Sequence, residues 1–149
     1  MNTRAEIDIF LNDKNLAIAG VSRNSKKFGN YVFRILQSKG FAVCPINPNA
    51  DTIEGVPCYS RIQDLPIGIN NLLIITHKRD TLQVLNDAIA KGIRNIWIQQ
   101  SCDTPETIKI AKNNTDNLIT RKCMLMYACP DGFHNFHRWL AGIIGSYVK

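Results

Sequence analysis

The chain has 149 residues, 45% of them hydrophobic and 20% charged, with a formal net charge of +6. That balance fits one globular domain, which at this size buries about 68–70% of its unfolded surface and folds without a disulfide or a metal. No apolar run reaches the roughly 18 residues of a transmembrane helix, so a membrane span is not expected.

Taken in chain order, residues 6–14 form a short leading helix with Ile7, Phe10 and Leu11 at helical spacing. Leu16 to Val21 reads as the first strand. A helix follows over about 29–39 and stops at Gly40. Phe41 to Ile46 is the second strand, closed by Asn47-Pro48-Asn49 because proline biases the residue before it away from helix. Residues 51–59 read as a loop with little regular structure. A helical turn is expected near 61–66, and Leu72 to Thr76 is a continuous apolar strand. Asp80 to Lys91 is an amphipathic helix stopped by Gly92, and Asn95 to Ile98 is the next strand. Thr104 caps a helix with Pro105 at its first position, and Leu118 and Ile119 begin a fifth strand. Residues 124–149 form an aromatic C-terminal extension of the single domain 1–149. Strands and helices alternate with short links, and the strands are almost wholly apolar. The expected architecture is therefore a three-layer, Rossmann-like, doubly wound α/β fold on a mainly parallel sheet of about five strands. Ligands of such sheets bind beyond the C-terminal strand ends, which directs attention to four loops.

The loop from Gly20 to Asn30 combines a glycine turn, Ser22 and Ser25 hydroxyls, the cations Arg23, Lys26 and Lys27, and Gly29 at a helix start. Backbone N–H groups, a helix N-terminus and positive charge around one point suit a phosphate-bearing ligand. The spacing is not the G-x-G-x-x-G of dinucleotide folds, since position 22 is serine and the next glycine is Gly29, and no P-loop Gly-Lys-Ser/Thr follows. In the second loop Asn47 stands where an NAD-binding fold carries an acid for the ribose 2′-hydroxyl, which leaves room for a ligand with extra phosphate on its ribose. The third loop offers Thr76, Lys78 and Arg79, and His77 has no evident catalytic partner. In the fourth, Trp97 reads as core, while Gln99 reaches the strand end and could meet a ligand amide or hydroxyl.

Together these residues resemble the CoA-binding domain family, small Rossmann-like proteins related to the nucleotide domain of the succinyl-CoA synthetase α subunit. The matching stretches are Ala19-Gly20-Val21-Ser22, Lys39-Gly40-Phe41 into Pro45-Ile46-Asn47-Pro48, Ile53-Glu54-Gly55-Val56-Pro57-Cys58-Tyr59, Lys91-Gly92, Trp97-Ile98-Gln99 and a cysteine near Cys123. The resemblance implies coenzyme A or an acyl-CoA as ligand. Its phosphates would lie on the Gly20/Val21/Ser22/Lys27 loop, its adenosine would be flanked by Asn47 and Pro48, and Thr76 and Lys78 would line the same cleft. The family commonly has glycine soon after the strand-end glutamine, where this chain has Gln100-Ser101.

Five cysteines, an odd number, and an N-terminus without the apolar core of a secretion signal lead to an expectation of reduced thiols and a cytoplasmic location. Cys123 and Cys129 with His134 and His137 suggest zinc, but the C-x5-C and H-x2-H spacings miss the usual ones, and no metal site is expected. The tail aromatics Phe133, Phe136 and Trp139 are expected to pack on the domain or to form a homodimer contact. No triad or carboxylate pair stands out, so a stand-alone binding module without catalysis is the first reading. The rivals are an NAD(P)-binding domain of oxidoreductase or redox-sensor type, opposed by Asn47 and the absent second glycine, and a nucleic-acid-binding protein, opposed by the dispersal of the cations.

Overall fold

The structure, a computed structural model, describes residues 2–129. Its centre is a five-stranded sheet of β1 (Asn15–Ala19), β2 (Ala42–Ile46), β5 (Asn71–Ile74), β6 (Asn95–Gln99) and β7 (Asn117–Lys122) in the order β2-β1-β5-β6-β7. Every neighbouring pair in this sheet is parallel. Helices α1 (Arg4–Asn12), α2 (Phe28–Ser38) and α5 (Met124–Ala128) accompany one face, and α3 (Lys78–Lys91) and α4 (Pro105–Asn114) the other. The strands are buried on both sides, which explains their nearly unbroken apolar character. In β1, Leu16 and Ile18 join Phe10, Phe33 and Trp97 on the first face, while Ala17 and Ala19 join Leu72, Ile74 and Leu85 on the second. Trp97 is fully buried and edge-on to Phe10 at 5.5 Å between ring centroids, and its indole N–H donates to the Lys122 carbonyl at 3.0 Å.

The leading helix begins earlier than its apolar spacing suggests, because Thr3 and Glu6 form a capping box at its start. Its carbonyls are held from the sheet's N-terminal end, where Asn71 donates to Phe10 O at 3.0 Å and Asn117 donates to Glu6 O at 2.8 Å. Thr104 and Pro105 start α4 as their types predict, and Gly92, with φ 90°, ends α3.

Residues 51–59 differ from expectation. They carry a small antiparallel hairpin, β3 (Thr52–Ile53) with β4 (Val56–Pro57), and Tyr59 then bridges Ile46 in parallel. Glu54 and Gly55 both have positive φ, 52° and 77°, which is the mirror-image two-residue turn whose twist suits a hairpin. Buried Ile53 anchors it to the core. No described helix is long and apolar enough to cross a membrane, and no group of three or more His, Cys, Asp or Glu side chains among the described residues could hold a metal. His134, His137 and the tail aromatics lie outside the described residues.

Candidate functional site

The sheet order makes β1 the strand from which the chain leaves first toward β2 and then, through β5, toward the opposite edge. A crevice opens at such a reversal, beyond the C-terminal ends of β1 and β5. Here it is a cleft of about 530 Å³ formed by four loops, with Gly20, Val21 and Ser22 from the first, Asn47 from the second, residues 75–78 and Asp80, which pairs with Arg79 at 3.6 Å, from the third, and Ser101 and Cys102 from the fourth. The volume falls within the range of small-ligand sites, roughly 300–1,000 Å³.

Two glycines bring the backbones together. A Cβ on Gly20, whose φ is 110°, would sit 2.2 Å from the Ile75 carbonyl oxygen. A Cβ on Gly29 would sit 2.2 Å from the Gly20 carbonyl oxygen. The start of α2, the glycine turn and the exit of β5 are thus stacked backbone on backbone. Gly29 is buried and acts as a packing residue. It does for helix and strand what the last glycine of the dinucleotide fingerprint does, at a longer spacing.

Between the two glycines the chain makes an excursion that is held from beneath. Asn30, 1% exposed, accepts from the Ser22 N–H at 2.9 Å and donates to the Ser22 carbonyl at 2.7 Å. Its amide also donates to Glu54 on the hairpin at 3.2 Å. Arg34 donates to the same carboxylate at 2.9 Å and to Ser25 O at 3.1 Å. Ser22 Oγ accepts from the Asn24 N–H at 3.0 Å, which leaves its own proton to donate into the cleft. Arg23, Lys26 and Lys27 are exposed and make no ion pair among the described residues. Arg23 lines a recess of about 310 Å³ that adjoins the cleft through Ser22. Lys27 is the N-cap residue of α2.

In the third loop Thr76 lies 2.9 Å from Thr81 Oγ1, and Thr81 lies 2.9 Å from the Cys102 carbonyl. That carbonyl can only accept, so Thr81 gives its proton there and Thr76 donates to Thr81. Thr76 therefore presents lone pairs, which suit a ligand N–H or O–H better than a phosphate oxygen. Lys78, the first residue of α3, is exposed, lines the cleft and makes no ion pair among the described residues. Cys102 lines the cleft too, but burial pushes its thiol up to about 11, so it is not a nucleophile near neutrality. His77 has no hydrogen-bond partner for its ring among the described residues.

The helix starts divide in a telling way. Neither α2 nor α3, the helices that open onto the cleft, has a side-chain cap, whereas α1 and α4 each carry a threonine capping box. The uncapped start of α3 brings its partial positive charge to the cleft alongside Lys78, an arrangement suited to anions, while the start of α2 packs through Gly29 on the Gly20 turn and Lys27 is not among the lining residues.

Two candidate residues are engaged elsewhere. Gln99 is 4% exposed, its amide oxygen accepts from Met124 N at 3.1 Å, and it is not among the lining residues. Asn47 donates to Val21 O at 2.9 Å and accepts from Asn49 N at 2.8 Å, so it ties the ends of β1 and β2 together and keeps one N–H free. Pro48 is exposed just past β2. The residues that composition and motif do not flag are Asn30, Glu54 and Arg34, which fix the loop. A larger depression of about 600 Å³ lies against the outer edge of β7 between α1 and α4 and reaches Arg121 and Lys122 at that strand's C-terminal end.

The fold and cleft define a doubly wound α/β domain with an open crevice at its switch point. The chain belongs to the CoA binding domain family, whose model matches residues 14–128. It is 29% identical over 93 residues to the α subunit of an ADP-forming acetate–CoA ligase II of Pyrococcus furiosus, covering 62% of this chain and 20% of that protein. It is 22% identical to the uncharacterized protein YneT of Bacillus subtilis over 82% of this chain and 91% of that one. A hypothetical protein of Pyrococcus horikoshii superposes with a TM-score of 0.78 at 26% identity, covering 85% of this chain and 89% of that one. The chain spans only a fifth of the ligase subunit.

Proposed function

We propose that this cleft binds coenzyme A or an acyl-CoA and that the chain acts as a binding module. The observation that carries the reading is the Gly20–Lys27 excursion. Gly29 packs an uncapped helix start against it, and it bears Arg23, Lys26 and Lys27 without ion-pair partners among the described residues. A 3′-phosphorylated ADP group spreads several negative charges over such a surface. Charge-assisted hydrogen bonds are worth about 1.5–3 kcal/mol each, so three of them supply about 4.5–9 kcal/mol; contacts to the rest of the ligand must offset the ordering cost for binding to reach the roughly −8 kcal/mol of a micromolar complex. The inert Cys102 thiol and the unpartnered His77 favour binding over catalysis. Titration calorimetry with coenzyme A, dephospho-coenzyme A and NAD tests the reading. Coenzyme A should bind most tightly, and loss of the 3′-phosphate should weaken binding about tenfold, the value of one charge-assisted contact. Lys27→Ala should weaken coenzyme A by a similar factor. NAD binding as tight as coenzyme A would overturn the proposal.

A further inference from the structure

The cleft does not end at Ser101. A second cavity of about 340 Å³ shares Lys78 and Ser101 with it and runs beyond the ends of β6 and β7 to Asp103 and Arg121. Three described residues other than glycine have positive φ: Glu54, Ser101 and Arg121. The hairpin turn accounts for Glu54. The other two both line this annex.

Each has an identifiable backbone cause. The Cys102 N–H donates to Gln99 O at 2.9 Å across a tight turn whose third residue, Ser101, has φ 71°. Gln100 is not among the positive-φ residues, so this is the turn type that ordinarily takes glycine there. Arg121, φ 58°, lies in a β-bulge: from Trp97↔Ile119 to Gln99↔Lys122, two steps along β6 face three along β7. A bulge re-aims the side chain it carries. Here the Arg121 guanidinium turns toward Asp103, with a loose contact of 3.8 Å, the longest ion pair among the described residues. The Arg121 side chain is 78% exposed. Lys78, which also lines the annex, has no ion-pair partner among the described residues, so the annex holds two cations against the single carboxylate of Asp103.

We infer that this annex receives the acyl end of the ligand and that Arg121, with Lys78, selects short acyl groups ending in a carboxylate. The inference rests on the coenzyme A reading of the main cleft. A neutral acyl group gains nothing from the two cations. A terminal carboxylate can take Arg121 from its loose contact with Asp103 and share Lys78.

Calorimetry with malonyl-CoA and propionyl-CoA, matched at three acyl carbons, tests it. The wild-type chain should prefer malonyl-CoA about tenfold, equivalent to ~1.4 kcal/mol. Arg121→Asn keeps a residue that tolerates left-handed backbone and removes the charge, and it should bring the ratio of the two dissociation constants close to one. Arg121→Lys should retain part of the preference, and Lys109→Asn, on the exposed face of α4, controls for net charge. Coenzyme A binding with equal affinity for the two thioesters would overturn this inference alone. Failure of coenzyme A itself to bind would overturn the cleft reading and this one with it. A preference that survives in Arg121→Asn would refute the assignment of Arg121.

Discussion

Asn30 offers the sharpest test of how the Gly20–Lys27 loop is held. Its side chain, 1% exposed, makes three hydrogen bonds: from Ser22 N at 2.9 Å, to Ser22 O at 2.7 Å and to Glu54 at 3.2 Å. Asn30→Ala removes all three partners at once. The two neutral bonds are worth about 1 kcal/mol each, and the bond to the carboxylate adds about 1.5 kcal/mol. Ser22 is half-buried, so water recovers part of the loss, which leaves a net cost of about 2–3 kcal/mol. For a chain of this size that lowers the melting temperature by roughly 4–12 °C. Urea unfolding followed by far-ultraviolet circular dichroism measures the change, and coenzyme A titration measures how far the loosened loop loses ligand. Asn30→Asp is the informative companion. It keeps an acceptor for the Ser22 N–H, but it loses both donors and sets a second carboxylate against Glu54, so it should be at least as damaging as alanine. Stability of Asn30→Ala within 0.5 kcal/mol of wild type, the scatter about ordinary surface substitutions, or a stable Asn30→Asp, would refute the clamp.

Gly29→Ala should reverse the usual sign of a helix substitution. In an open helix it would stabilise by up to about 1 kcal/mol, but here the new Cβ meets the Gly20 carbonyl at 2.2 Å, so denaturant unfolding should show a loss of about 1–3 kcal/mol. Cys102, half-buried on the cleft, should alkylate slowly at pH 8 and rapidly only as the pH approaches about 11, as mass spectrometry after iodoacetamide would report; fast labelling at pH 8 would contradict the raised thiol. Burial raises the Cys102 thiol in the folded chain above its ordinary value of 9.0. Its contribution to stability is therefore complete below pH 9 and is lost as the pH rises toward 11, so the urea midpoint should fall across that window and fall less in Cys102→Ala. Lys78→Ala should weaken coenzyme A binding by up to tenfold, and the affinity of the wild-type chain should drop with added salt, since both cationic loops are exposed and screened.

Much of the fold is written plainly in the chain. Fully buried parallel strands such as Leu72–Ile74 and Asn95–Ile98 have no reason to alternate in polarity, and glycine and Thr-Pro signals mark where the helices stop and start. The hairpin at 52–57 is harder to read because each strand is two residues long and its turn uses Glu-Gly, where Asn or Asp commonly precedes the glycine. Gly20, Ser22 and Lys78 are legible as cleft residues because a glycine turn and cations after apolar strands have few other uses. Asn30 is not: a buried asparagine one residue past a glycine looks like any helix residue until Ser22, eight positions back, is seen to depend on it. Gln99 misleads in the opposite direction. It ends a strand as a ligand contact would, yet its amide is committed to the start of α5. Ser101 shows only as the departure from the glycine that the resembled family commonly has there, and Arg121 carries no signal at all, since side chains that rarely adopt left-handed backbone occupy both positions.

The spacing of Gly20 and Gly29 links these observations. In the dinucleotide fingerprint the middle glycine lets the backbone itself press against the pyrophosphate. Here the two backbone contacts that set helix against strand are made by Gly20 and Gly29; Val21 stays in the core, and residues 22–27 are free to leave the surface. A loop of that length would be costly to order on its own. Asn30 fixes its near end, Arg34 reaches its middle through Ser25, and Glu54 secures both from the hairpin. What the excursion brings is side-chain charge, through Arg23, Lys26 and Lys27, where a shorter loop would offer mainly peptide N–H groups. A cradle of that kind rewards the number of phosphates on a ligand more than the shape of its diphosphate. That is the physical basis for expecting coenzyme A, with its additional 3′-phosphate, to outcompete NAD at this site.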